Sequence, residues 1–159
     1  PTVSGQNGYR YAFRFGFAIV PNSSHWFYGL VNTTGAVTSV HPPSSLINAI
    51  AIGYDNGTLG SQLSVYNNDA SGAAVKNALN SYFTVTTQGW YEFGIEADPS
   101  GSAIEYYVKR LDISSIPDFV GSLTADLPAN SLWLSPYFHG STMVTSGIAV
   151  EDGGMVWRS

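Results

Sequence analysis

The chain has 159 residues, 44% hydrophobic but only 11% charged, with a net charge of −5 and no cysteine. Its cations (Arg10, Arg14, Lys76, Lys109, Arg110 and Arg158) are scattered, which argues against nucleic acid and anionic membrane, both of which call for clustered positive charge. The missing thiols exclude disulfides and thiolate metal sites, and no apolar run reaches the length of a membrane-spanning helix.

With so few charges, the polar surface must come from Ser, Thr, Asn and Gly. Aromatics make up 14% of the chain and ten of them are Tyr. Tyr is amphipathic and serves both cores and polar-ligand surfaces. This balance suits a β-rich extracellular or virion protein. The length suits one domain with its own core, spanning 1–159. The sequence starts at Pro1 with no start Met or signal peptide, so it reads as part of a longer protein.

Apolar or alternating runs recur along the chain, separated by Gly, Pro, Asn, Asp and Ser. They predict strands near Arg10–Val20, His25–Asn32, Ile47–Asp55, Gln62–Asn67, Tyr82–Val85, Trp90–Ala97, Ala103–Leu111, Phe119–Ala125, Leu132–Phe138, Gly147–Glu151 and Met155–Arg158. His41–Ser45 reads as a loop, because two prolines cannot sit in a ladder. Only Ser71–Ser81 has a composition that admits a short helix, and Gly72 with two Asn weakens it. Many short strands with turns between them predict an all-β, antiparallel two-sheet β-sandwich of the jelly-roll kind.

The register of one hairpin can be derived. Trp90–Leu111 turns at Asp98–Gly101. Setting Pro99 opposite Ser102 places Phe93 against Val108, Ile95 against Tyr106 and Ala97 against Ile104, a continuous apolar face. Glu92 then meets Lys109, and Glu96 meets Glu105, a like-charged pair that is either left in water or held by a cation. A shift of one residue would mix the faces throughout.

Of the carboxylates Glu92, Glu96 and Glu105, the first two lie roughly 13 Å apart along a strand, and only Glu96 with Glu105 comes near the about 5–5.5 Å that a retaining glycosidase needs between its two carboxyls. The E-x-D-x-x-E spacing of sandwich-fold glucanases is absent, so solvated strand-face acids are the simpler reading. His25, His41 and His139 have no metal-ligand spacing to one another, and no G-x-S-x-G elbow exists. Asp55–Gly57 and Asn67–Gly72 carry turn chemistry. Their oxygens would suit Ca²⁺, but neither shows the twelve-residue loop that makes such an assignment specific, so no cofactor is expected.

A strand Trp is by default core, yet "SLWLSPYFHGS" places Trp133, Tyr137 and His139 on one strand parity, opposite Leu132, Leu134 and Phe138. Stacking aromatics beside hydrogen-bonding groups are the mixture that small polar ligands use. "SHWFYGLV" raises a second question. Trp26, Tyr28 and Leu30 lie on one face and Phe27, Gly29 and Val31 on the other, so the strand is apolar on both.

The order of motifs resembles a domain of tailed-phage virion proteins. That domain carries a pattern like F-x-G-L, I-G-x-G-x-D, an N-D-x-S-G turn, a Y-x-(L/F)-x-I strand with a P-(N/S)-G turn, and a later N-L-P-A. The matching residues are Phe27, Gly29 and Leu30; Ile52, Gly53, Tyr54 and Asp55; Asn68, Asp69, Ser71 and Gly72; Tyr91, Phe93 and Ile95; Pro99 and Gly101; and Leu127, Pro128 and Ala129. If the second motif is read one step earlier, Ala51 replaces its first glycine. Trp133 stands where other members more often carry an aliphatic residue. The likeness runs from Tyr11 onward.

The resemblance implies a concanavalin A-like lectin sandwich on a tail fibre, tailspike or baseplate, and so an extracellular, virion location. The implied function is non-enzymatic carbohydrate binding: receptor binding and host adhesion through a host-surface glycan, beside other virion domains and in a homotrimer. One alternative is a structural module that trimerises or caps a fibre. Another is a polysaccharide depolymerase using Glu92, Glu96 and Glu105. The expected binding surface is Trp133, Tyr137 and His139, with Trp26 and Tyr28 as a second row. On this reading Phe27 is intra-sandwich core, and Trp26 and Tyr28 face a groove, a second layer or a neighbouring subunit.

Overall fold

The computed structural model describes residues 9–17, 24–32, 42–57, 60–86, 88–97, 102–129, 132–142 and 153–156. Ten strands form among them: β1 (Tyr9–Gly16), β2 (Ser24–Val31), β3 (Ala49–Gly57), β4 (Ser64–Asn68), β5 (Val75–Ala78), β6 (Trp90–Ala97), β7 (Ile104–Arg110), β8 (Phe119–Leu123), β9 (Ser135–Thr142) and β10 (Gly153–Val156). The first sheet has the order β10-β1-β6-β7-β8 and the second β5-β4-β3-β2-β9. Every pairing is antiparallel. The only helical element among the described residues is a 3-10 turn at Pro43–Ser45, and no helix there is long and apolar enough to cross a membrane. The all-β, two-sheet antiparallel sandwich expected from the sequence is what forms. From β1 the chain visits the second sheet for β2–β5, returns for β6–β8, and crosses again for β9 and β10.

The first sheet follows the period-two rule. On β1, Tyr9, Tyr11, Phe13 and Phe15 are buried, while Arg10, Ala12 and Arg14 turn outward. The inner rows continue across the sheet. Phe13, Phe93, Val108 and Phe119 oppose in turn, and so do Tyr11, Ile95 and Tyr106. The derived hairpin register is observed from Phe93 with Val108 to Ala97 with Ile104, and also for Glu92 with Lys109 and Glu96 with Glu105; Pro99 lies outside the described residues. The like-charged pair has its cation, because Arg10 on β1 lies opposite Glu96 and 3.9 Å from its carboxylate.

The second sheet is buried on both faces. Trp26, Leu30, Ile50, Ile52, Tyr54 and Val65 point to the first sheet. There Phe13 meets Tyr28 (3.8 Å between ring centroids) and Trp26 lies 4.8 Å from Phe15. The other face carries Phe27, Val31, Ala49 and Ala51, covered by Leu46 and flanked by Tyr137. The segment before β3 is tied down over this face. Ser44 N–H donates to Asp55 Oδ1 (2.8 Å), Asn68 Nδ2 donates to Leu46 O (2.7 Å), and Ala74 N–H donates to Ser44 O (2.9 Å).

The assignment of faces on β2 is thereby corrected. Trp26 and Tyr28 belong to the core between the sheets, and Phe27 belongs to the outer layer. Alternation separates the two rows but carries no sign when both are covered.

Two further expectations change. Val75–Ala78, inside the segment that admitted a helix, is an edge strand against β4, where Asn77 Nδ2 bonds Val65 O and Asn67 Oδ1. Tyr82–Val85 contributes a single bridge, Gln62 with Thr84. His41, Gly147–Glu151 and Trp157 lie outside the described residues.

Candidate functional site

β9 is bonded to β2 at the margin of the second sheet, with Tyr137 opposite Gly29 and His139 opposite Phe27. Tyr137 and His139 therefore share the outer face, while Phe138 turns inward toward Trp26 and Tyr28 and Leu134 enters the core. The parity expected from the sequence holds. Gly29, which has no side chain, sits beside Tyr137, and the Tyr137 ring stacks on Phe27 instead (6.1 Å, 22° between planes). The His139 ring is 5.6 Å from Phe27 and 5.8 Å from His25, nearly parallel to the latter. Phe27 is thus the buried floor beneath a half-exposed Tyr and two imidazoles. Sequence reasoning missed Phe27 and His25. Their shared parity on β2 was the available signal, but it needed the β2–β9 register to be read.

Trp133 lies just before β9. Its backbone is fixed by Asn32 Nδ2, which donates to Trp133 O at 2.8 Å. Its side chain is 72% exposed. Four residues of extended chain, about 13 Å, separate it from Tyr137. The two rings therefore suit well-separated units of an extended ligand better than one ring held between them.

In the second expected row, Trp26 is closed to a ligand and Tyr28 is half-buried. Trp26 has no exposed surface and packs against Phe15, Phe17 and Tyr54. Tyr28 packs on Phe13, and its hydroxyl accepts a hydrogen bond from Tyr11 OH (3.2 Å).

The carboxylates occupy a different surface, the outer face of the first sheet. A groove of about 260 Å³ runs there between Arg10, Glu96, Glu105, Tyr107, Lys109 and Val120. Glu92 accepts from Arg14 Nε (2.8 Å) and Tyr107 OH (3.0 Å). Burial alone would raise its pKa, but these two bonds and the charges of Arg14 and Lys109 outweigh it and hold the carboxyl below its ordinary value. Such a group is a poor proton donor at neutral pH, whereas a general acid needs the opposite shift. Glu96 is spoken for by Arg10, and Lys109 pairs with Asp118 at 3.2 Å. The face is a ladder of ion pairs around one tyrosine.

Among the described residues no group of three or more His, Asp or Glu is placed to hold a metal ion. Asp69 Oδ1 accepts from Ser71 N and Oγ, whereas Asp55–Gly57, expected as a turn, is the end of β3, where Asp55 Oδ2 accepts from Tyr66 OH. Compared with known proteins, the chain matches no family model, no curated protein and no solved structure.

Proposed function

We propose that this domain is a non-enzymatic binding module for a host-surface glycan, carried by a phage tail or other virion protein. The supporting observation is that Tyr137 and His139 share the outer face of the edge strand β9, with the exposed Trp133 just before that strand. Sugar rings present C–H faces to aromatics and hydroxyls to imidazole and phenol. On this reading Trp133 and Tyr137 stack separate, non-adjacent sugar units, and Tyr137 OH with His139 sets hydroxyl orientation. The phage assignment rests on the ordered sequence motifs alone.

The test is a glycan array run with the native chain and with Trp133→Ala. Loss of one stacking platform costs about 1–3 kcal/mol, a roughly 5- to 150-fold loss of affinity. Binding that survives Trp133→Ala unchanged places the ligand elsewhere. A silent array together with a stable trimer in solution favours the structural reading, in which Trp133 and Phe138, both exposed, are covered by a neighbouring copy. Sugar release from capsule or lipopolysaccharide would instead indicate a depolymerase.

A further inference from the structure

A second cavity, of about 210 Å³, opens between β3, β4 and β5 and is lined by Tyr54, Asp55, Gln62, Ser64 and Lys76 among others. We infer that it takes one neutral polyhydroxylated ring, a single monosaccharide unit. The volume suits one hexose.

Its charges cancel. Asp55 and Lys76 stand 3.9 Å apart, so neither an anion nor a cation finds a net counter-charge. Both retain hydrogen-bonding capacity. Asp55 is held rigidly by Ser44 N–H on one oxygen and Tyr66 OH on the other, each at 2.8 Å, and each carboxylate oxygen has a further acceptor site. Lys76 offers an ammonium with three protons. Ser64 has no exposed surface, and its hydroxyl has no well-formed hydrogen bond, although it is near enough to the Tyr66 phenol to ease that group's ionisation. A buried hydroxyl left without a partner costs stability, and a sugar hydroxyl would satisfy it. Fixed acceptor, mobile donor and buried hydroxyl are therefore in place before a ligand arrives, which lowers the ordering cost of binding.

The choice of a sugar as ligand rests on the glycan-binding reading; the site itself does not involve Trp133. The test is a protein NMR titration with D-glucose, D-galactose, N-acetyl-D-glucosamine and L-rhamnose, each to tens of millimolar, with sodium sulfate as control. The expected result is that at least one sugar gives saturable shifts at the amides of 53–55, 61–64 and 76–78. Lys76→Ala and Ser64→Ala each weaken that sugar at least fivefold, with melting temperatures at or above native for Ser64→Ala. The inference is overturned if no sugar shifts these amides saturably, if sulfate reproduces the shifts, or if both variants bind as the native chain does. Trp133→Ala separates the two readings, because it removes array binding while leaving this titration unchanged.

Discussion

The Tyr107 ring occupies the space that a side chain at Gly94 would take, directly across the β6–β7 ladder. Its neighbour Tyr106 does the same on the other face of the sheet, over Gly121 of β8. Two consecutive tyrosines on one strand thus fill two glycine notches on opposite sides. The outer ring then stands between Arg10 and Lys109 (5.9 and 5.3 Å to its centroid) and delivers its hydroxyl to Glu92.

Gly94→Val should push Tyr107 off the sheet and break its bond to Glu92. A cost of about 1–3 kcal/mol is expected, the usual range for overpacking, read as a lower urea midpoint. In the background of Tyr107→Ala the same substitution should cost less, since the clash is gone. Equal costs in the two backgrounds would show that the ring and the glycine are not coupled.

Acid should weaken the fold through Glu92 and Asp112. Burial raises the pKa of each, but for Glu92 the Arg14 and Tyr107 hydrogen bonds, and for Asp112 those from Arg110 and from its own and the Trp90 backbone N–H groups, outweigh it and hold the folded pKa below the unfolded one. The unfolded chain then binds more protons, so stability is fully present above the ordinary carboxylate range near about 4 and is lost as pH falls through the lowered folded values. Glu92→Gln should be less stable at neutral pH and should lose less on acidification. Melting temperatures from neutral pH down through that range check this; parallel curves for variant and native chain would contradict it.

The tryptophans should divide by position. Trp26→Ala opens a cavity in the core and should cost about 3–5 kcal/mol, whereas Trp133→Ala should stay within about 0.5 kcal/mol of native. Acrylamide should quench the fluorescence lost with Trp133 and spare that lost with Trp26.

Asp55→Ala should free the segment over the outer face of the second sheet, because it removes the acceptor for both Ser44 N–H and Tyr66 OH. Leaving such buried donors without a partner costs about 1–3 kcal/mol. Hydrogen exchange should accelerate at Ser44, while the β6–β7 amides exchange at rates set by global stability.

Legibility in the sequence tracked how differently the two faces of each strand are solvated. The β6–β7 hairpin has charges on one face and aliphatics or aromatics on the other, so only one register was consistent, and it is the one formed. β2 gave the opposite result, because Trp26 and Phe27 are both fully buried and alternation cannot say which row meets the other sheet. The candidate site was half legible for the same reason. Tyr137 and His139 share a parity that the structure retains, but their relation to Phe27 and His25 depends on a pairing more than a hundred residues apart in sequence. β5 was illegible because its strand character comes from bonding to β4 and not from its own composition.

The pairing of Arg10 with Val156 on adjacent strands has a geometric consequence for anything joined to this domain. The two ends of the described chain lie side by side in one sheet, and β1 stacks on β2 through Tyr11, Phe13 and Tyr28, which puts β10 on the flank that carries β9. A chain entering at residue 9 or leaving at residue 156 therefore does so from that single flank. A tether there would hold Trp133 near the body of a larger assembly and turn the Asp55 pocket, beside β5, toward the medium. A short linker joining residue 156 to residue 10, with new ends opened elsewhere, should give a circularly permuted chain with the same two sheets.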